Sequence, residues 1–197
     1  MAKVRGPLMS LNARGQIAKT LVFMGWKGLK TIRTYAVPAN PNSAAQQAQR
    51  GILGDAVDAW HSANLTGADK TAWDLFAKTL AAAQSGFNAF CRSFINLTVA
   101  GKTPLELFDG KDTSEVSGQV DMQISTTTGK AVSVKWGESP GSLINTDTAA
   151  EDGETGDYKK QLTGKTPGSK IYAEFVVTTE ASAGRQSGIY EFVVSAG

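Results

Sequence analysis

The sequence predicts an α+β protein of two domains, a β-hairpin with three helices followed by an antiparallel β-sandwich. Three observations carry that prediction. Residues 16–37 hold two β-prone runs about a Gly-bounded connection, residues 44–99 hold three segments with apolar residues at helical spacing, and residues 118–197 alternate apolar and polar in short runs. The implied boundaries are 1–100 for a basic hairpin, arm and helical domain, 101–117 for a linker, and 118–197 for the sandwich. At 197 residues the chain has room for one or two modest cores. Its 21 glycines favour turn-rich β structure, and 41% hydrophobic content argues against disorder throughout.

Taken in order, Leu21-Val22-Phe23-Met24 closes the first run at 16–24. In the second, at 29–37, Leu29, Thr31, Arg33, Tyr35 and Val37 share one face. Gly25-Trp26-Lys27-Gly28 between them reads as a four-residue hairpin connection, which places Trp26 at the tip. A large aromatic there is exposed unless a partner covers it. A hairpin alone is marginal in water, so this one must pack on its own helices or on another chain. Pro38-Ala39-Asn40-Pro41-Asn42 reads as a stiff extended connector, because each proline removes a donor and pushes its predecessor toward extended geometry.

Asn42 or Ser43 can cap a first helix to about Ser62, with Ile52, Leu53, Ala56, Val57 and Trp60 on its apolar stripe. Thr66 with Asp69 forms an approximate capping box for a second, striped by Trp73, Phe76, Ala77 and Leu80. A third follows Gly86, with Phe87, Phe90, Cys91, Phe94 and Ile95 at helical spacing. These aromatics and Cys91 read as core, and His61 as a helix-end residue. Residues 101–117 are Gly-, Lys- and Asp-rich around Leu105, Leu107 and Phe108, the mark of a linker with one anchoring patch. Beyond it alternate Val120, Met122 and Ile124; Val132, Val134 and Trp136; Ile171, Ala173, Phe175 and Val177; and Ile189, Phe192 and Val194. Short strands with such turn punctuation suit a sandwich of about seven strands.

The charge is asymmetric. Residues 1–101 carry 11 Lys/Arg against 4 Asp/Glu, and residues 102–197 carry 9 against 14, so +7 and −5 make the net +2. The eight basic residues of 1–54, Lys3, Arg5, Arg14, Lys19, Lys27, Lys30, Arg33 and Arg50, meet no carboxylate before Asp55. Such a segment suits an acidic partner surface or nucleic acid, or forms solvated strand faces.

Exclusions are as informative. One cysteine and one histidine rule out an intrachain disulfide and a Cys/His zinc cage. No phosphate loop, Gly-x-Ser-x-Gly elbow or His-Glu-x-x-His is present; Gly101-Lys102-Thr103 and Gly164-Lys165-Thr166 lack the earlier glycine a phosphate loop needs. The five acids of Asp147 to Asp157 lack the ligand spacing of an EF-hand and read as a solvated acidic loop. The expectation is a protein with no catalytic residues, no cofactor and no metal, hence not an enzyme, although paired carboxylates distant in sequence stay open. With no signal-like apolar run and no membrane-length segment, it is expected to be made and kept in soluble form.

Several strings together carry a resemblance: Gly6-Pro7-Leu8-Met9-Ser10, Gly15-x-Ile17, Leu21-Val22-Phe23, Trp26-Lys27-Gly28, Arg33, Pro38-x-Asn40-Pro41-x-Ser43, Gln46 and Arg50. Trp60, Ala72-Trp73 and Gly86-Phe87-Asn88-Ala89-Phe90 extend it. Over residues 1 to about 97 the chain resembles a family of small structural proteins of tailed bacteriophages and prophages. It departs from that pattern near Thr31, where an aromatic would stand, and near Gly51, where a bulkier residue would. The second half looks like an immunoglobulin or fibronectin type III module, with Val132-Ser133-Val134-Lys135-Trp136 similar to its tryptophan-bearing early strand and Pro167-Gly168-Ser169-Lys170-Ile171-Tyr172 leading a later one.

The resemblance implies a non-enzymatic virion structural protein, assembled in the host bacterial cytoplasm. It would dock through its basic half on the particle, as a capsid decoration or head-associated protein, and display the sandwich. A neck or tail component and a packaged-DNA-binding virion protein are the alternatives. Partners would be major capsid or portal/neck subunits, with the chain a homo-oligomer in a symmetric assembly, no membrane, and nucleic acid as a lesser possibility. Trp26, Lys27, Arg33 and Arg50 are the expected docking residues, Trp26 as aromatic anchor and the cations for carboxylates. For Arg33 and Arg50 an intramolecular bridge to the connector is the competing role.

Overall fold

The computed structural model describes residues 2–3, 14–37, 39, 42–62, 64–104, 107–153, 155–178 and 185–197. The expected connector at Pro38, Asn40 and Pro41, together with Arg5, Leu105 and Glu154, lies outside them. The architecture is mixed α+β: three helices, a large antiparallel sheet and a small one. It divides into two units, residues 1–43 and 44–197, a different partition from 1–100, 101–117 and 118–197. The helices belong with the large sheet because their packing surface is completed there.

The first unit is a four-stranded antiparallel sheet of β1 (Ala2–Lys3), β2 (Gly15–Ile17), β3 (Leu21–Trp26) and β4 (Leu29–Thr34), ordered β1-β4-β3-β2. The run expected at 16–24 is thus two strands. Ala18 and Lys19 turn the chain in left-handed conformation, with φ of 45° and 54°, and the Thr20 amide donates to the Ile17 carbonyl at 2.9 Å. The central hairpin is tighter than expected. Trp26 pairs with Leu29, so the turn is only Lys27-Gly28, at φ 48° and 80°. Two successive positive φ values are what a two-residue hairpin turn needs to match strand twist, and glycine tolerates the second without strain. Trp26 is therefore the last residue of a strand rather than a loop tip.

The second unit opens with α1 (Ala44–His61), α2 (Gly67–Thr79) and α3 (Gly86–Val99). Thr66 caps α2 in the expected box, its hydroxyl accepting from the Asp69 amide while Asp69 accepts from the Thr66 amide at 2.8 Å. Ser85 caps α3, and the Asp74 carboxylate accepts from the Gly86 amide at 2.9 Å. Trp60, Trp73, Phe87, Phe90 and Phe94 pack edge-on or tilted with centroids 5.2–5.9 Å apart, around Ala56, Ala77, Ala89 and Cys91. Burial pushes the Cys91 thiol pKa up, as expected for an inert core residue. Leu53 departs from the predicted stripe: it is 48% exposed, and α1 carries its only fully buried residue, Ala56, in its second half.

The large sheet holds β5 (Phe108–Asp112), β6 (Val120–Ser125), β7 (Val132–Gly137), β8 (Asn145–Glu151), β9 (Asp157–Leu162), β10 (Lys170–Val177) and β11 (Tyr190–Val193). Its order is β11-β10-β7-β8-β9-β6-β5. β8 pairs with β7 through its first five residues and with β9 through its last two, carrying the chain across the fold. β11 and β5, the two ends of the order, lie against each other, so the sheet curls around one core. Val120, Met122, Ile124, Val132, Val134, Ile171, Ala173, Phe175 and Val177, all read as inward from alternation, fill that core.

Two expectations are corrected. The linker at 101–117 contains β5, which pairs with β6; a register shift between Phe108 and Lys111 breaks the alternation that would have revealed it. The acidic segment from Asp147 to Asp157 is the end of β8, a short turn and the start of β9. Its polar residues mask a strand because one face is solvated. Short of β11, side chains replace ladder bonds: the Val177 amide donates to Gln186 Oε1 at 2.6 Å and the Phe175 amide to Ser187 Oγ at 2.9 Å.

Helices and sheet form one unit through a polar knot. Asp69, 1% exposed, accepts from the Tyr190 hydroxyl at 2.5 Å and the Asp109 amide at 3.2 Å, besides Thr66. The Ile189 amide donates to the Ala72 carbonyl at 3.0 Å. Burial first, then the Asp69 charge, pushes the Tyr190 phenol well above its ordinary value, so it stays a neutral donor.

Candidate docking site

The alternation of β3 and β4 sorts the expected site residues. Trp26, Val22 and Met24 on β3 share a face with Leu29, Thr31 and Arg33 on β4, since each pairs across the ladder. Thr31 is buried at 6% and its hydroxyl donates to the Met24 carbonyl at 3.1 Å. Trp26 and Leu29, directly opposite each other, are 55% and 47% exposed, a contiguous apolar pair at the turn end of the sheet. Arg33 is exposed at the other end of that face, and Lys27 is exposed in the turn. Three of the four predicted residues thus come together on one small sheet. Arg50 does not: it lies on the exposed first half of α1, in the other unit.

Leu29 escaped the sequence reading as a partner for Trp26, because a four-residue loop would have separated them. The other face of the sheet also leaves Ile17 and Leu21 substantially exposed. Phe23 is its buried apolar residue, at 7%. A sheet of this size that buries so little apolar area has a surface to offer.

In the second unit the acids have local work. Asp147 Oδ2 accepts from Trp136 Nε1 at 2.7 Å and its Oδ1 pairs with Lys160 at 3.3 Å. Asp152 pairs with Lys159 at 2.6 Å, Glu151 accepts from the Gly129 amide at 3.2 Å, and Asp157 accepts from the Ser125 hydroxyl at 2.5 Å. Lys165 stands over the Trp136 ring, 4.6 Å from its centroid. The Trp136 hydrogen bond, reinforced by Lys160, holds the Asp147 carboxyl below its ordinary value. A depressed carboxyl pKa stabilises the fold above the unfolded-state value and loses that contribution as pH falls through the folded value. Wild type should therefore outlast Asp147→Asn in urea at pH 7, and the gap should close below about pH 4; a gap unchanged down to pH 2 would rule out this role.

Among the described residues no group of three or more His, Cys, Asp and Glu is placed to hold a metal ion, and no helix is long and apolar enough to cross a membrane. The buried Glu174, paired with Arg185 at 3.0 Å, has its pKa raised by burial more than that pairing lowers it. Arg185 also covers the Phe76 ring at 3.9 Å, so this pair joins α2 to β10.

No family model matches the chain, and no curated protein matches it. One solved structure, described as "Crystal structure of Br derivative BhCBM56", is similar over 46% of this chain and 88% of its own, at 13% identity and a TM-score of 0.31. At that score the likeness carries no argument about fold or ligand.

Proposed function

We propose that this chain is a non-enzymatic structural protein of a tailed-bacteriophage particle, docking through its N-terminal sheet on other virion subunits and presenting its large β unit outward. One observation carries the reading: the first unit has seven Lys/Arg and no Asp or Glu, yet sets an exposed Trp26–Leu29 pair between Lys27 and Arg33. An exposed aromatic with cations at both ends of its face is the composition of a protein-docking hot spot for an acidic partner. The resemblance of residues 1–97 to phage structural proteins supplies the particle. The capsid surface is the favoured location, since many weak contacts in a symmetric lattice act together there.

The order β5-β6-β9 on one side and β11-β10-β7 on the other, with β8 crossing between them, supports an immunoglobulin or fibronectin type III-like topology for the large sheet. Trp136, one of the residues that carries the resemblance, lies on β7.

The test is to mix purified protein with emptied heads, pellet them and count copies. Hundreds per particle, reduced at least about tenfold by Trp26→Ala, is the expected result, a loss of about 1.4 kcal/mol or more per site. About a dozen copies, or binding that requires a portal, would move the protein to the neck or tail. Binding to bare duplex that weakens linearly with log salt would favour packaged DNA instead.

A further inference from the structure

We infer that the N-terminal sheet docks through two diagonal corners on opposite faces, and so joins two neighbouring copies of one acidic virion subunit. The inference rests on the reading of this sheet as a docking element, and it adds that each chain holds two subunits rather than one.

The ladder places the corners. Among the described residues of β1 to β4, four large apolar side chains are exposed, and they form two cross-strand pairs, Trp26 with Leu29 and Ile17 with Leu21. Leu21 begins β3 and Trp26 ends it, five steps on, so alternation puts the two pairs on opposite faces and about 17 Å apart along the strand. The reverse face differs at each end: Gly25 and Lys30 stand behind the first pair, and Gln16, Arg33 and the half-buried Val22 behind the second. In the middle, Phe23 on one face and Thr31 on the other are buried. The exposed apolar surface of these strands is therefore confined to the two corners.

The corners are built alike. Each pair brackets a turn that holds an exposed lysine in left-handed conformation, Lys27 at φ 48° between Trp26 and Leu29, and Lys19 at φ 54° between Ile17 and Leu21. Each corner thus presents two apolar side chains beside one cation, which suits an apolar recess with a carboxylate at its rim. Charge chooses the occupant. Residues 1–43 carry seven Lys/Arg and no acid, so a second copy of the sheet is repelled and an acidic surface is attracted. A symmetric particle shows the same surface on every copy of a subunit, so two neighbours can meet one sheet. A single subunit would have to wrap round the sheet edge to reach both corners. Two modest contacts on one small sheet then act together, since the first raises the effective concentration for the second.

Photo-crosslinking of the full chain on emptied heads tests this. Trp26→p-benzoylphenylalanine and Leu21→p-benzoylphenylalanine each keep an apolar group at a corner. Either singly substituted chain should link to the same subunit, and the chain carrying both should give a product of one chain with two subunits. In pelleting, Trp26→Ser with Leu29→Ser, and separately Ile17→Ser with Leu21→Ser, should each weaken binding at least about tenfold. Links from Trp26 alone, a doubly substituted chain that never holds more than one subunit, or links to another copy of this chain overturn the inference. If the chain pellets through Trp26 only, the docking reading stands and this one fails; if wild type does not pellet with heads at all, the docking reading falls and this inference with it.

Discussion

Asp69→Ala should destabilise the 44–197 unit by about 3–5 kcal/mol, because one buried carboxylate serves three jobs at once. It completes the α2 cap with the Thr66 amide and hydroxyl, both at 2.8 Å, anchors the Asp109 amide of β5, and receives the Tyr190 hydroxyl of β11. Alanine leaves the Tyr190 hydroxyl and two amides facing a pocket without an acceptor. Each buried donor left unmet costs about 1–3 kcal/mol. Tyr190→Phe removes one donor and keeps the cap, so a loss of about 1–2 kcal/mol is expected there. In a double-mutant cycle the two changes should be strongly non-additive, since both break the same bond. Urea unfolding of the four proteins measures this, and a loss within 1 kcal/mol for Asp69→Ala would show that the knot is incidental to stability.

Gly188→Ala should be comparably damaging for a steric reason. A Cβ at residue 188 would stand 2.5 Å from the Trp73 amide nitrogen and 2.6 Å from the Ala72 carbonyl oxygen, both backbone atoms of α2. Neither can rotate away, so α2 must lift off the segment leading into β11 and break the Ile189 to Ala72 hydrogen bond. Overpacking costs about 1–3 kcal/mol where side chains can give, and a backbone obstacle puts this site at the upper end of that range. Amide exchange at Ile189 should accelerate more than that at Val134 in the β core. Gly51→Ala is the control of opposite sign, since its Cβ meets open space and alanine favours helix by up to about 1 kcal/mol. Equal effects from the two substitutions would refute the close approach.

The legible parts of this fold are those set by neighbours along the chain. The helices at 44–61, 67–79 and 86–99 follow from apolar spacing and from Thr66 with Asp69, all within a few residues. The strands at 120–125, 132–137 and 170–177 follow from strict alternation, because their inner faces are completely buried. β5 and β8 stayed hidden where that signal fails, the first at a register shift, the second because most of its side chains are polar. In the candidate site, the basic, acid-free character and Trp26, Lys27 and Arg33 were readable. The pairing of Trp26 with Leu29 was not, because glycine at both ends of Gly25-Trp26-Lys27-Gly28 allows a longer loop, and only the ladder selects Lys27-Gly28.

Sequence by itself determined the class, the three helices, the charge division and the absence of a cysteine or histidine cluster, since each depends on composition or on local period. Tertiary structure alone decided where the units part. Residues 44–100 read as one domain with the hairpin because a hairpin needs helices to pack on, yet they fold with the large sheet, through bonds such as Asp69 to Tyr190 that span 121 positions. Charge is a sum over residues and can be counted along a chain. A buried hydrogen bond between distant residues depends on which surfaces meet, and that is settled only when the core forms around them.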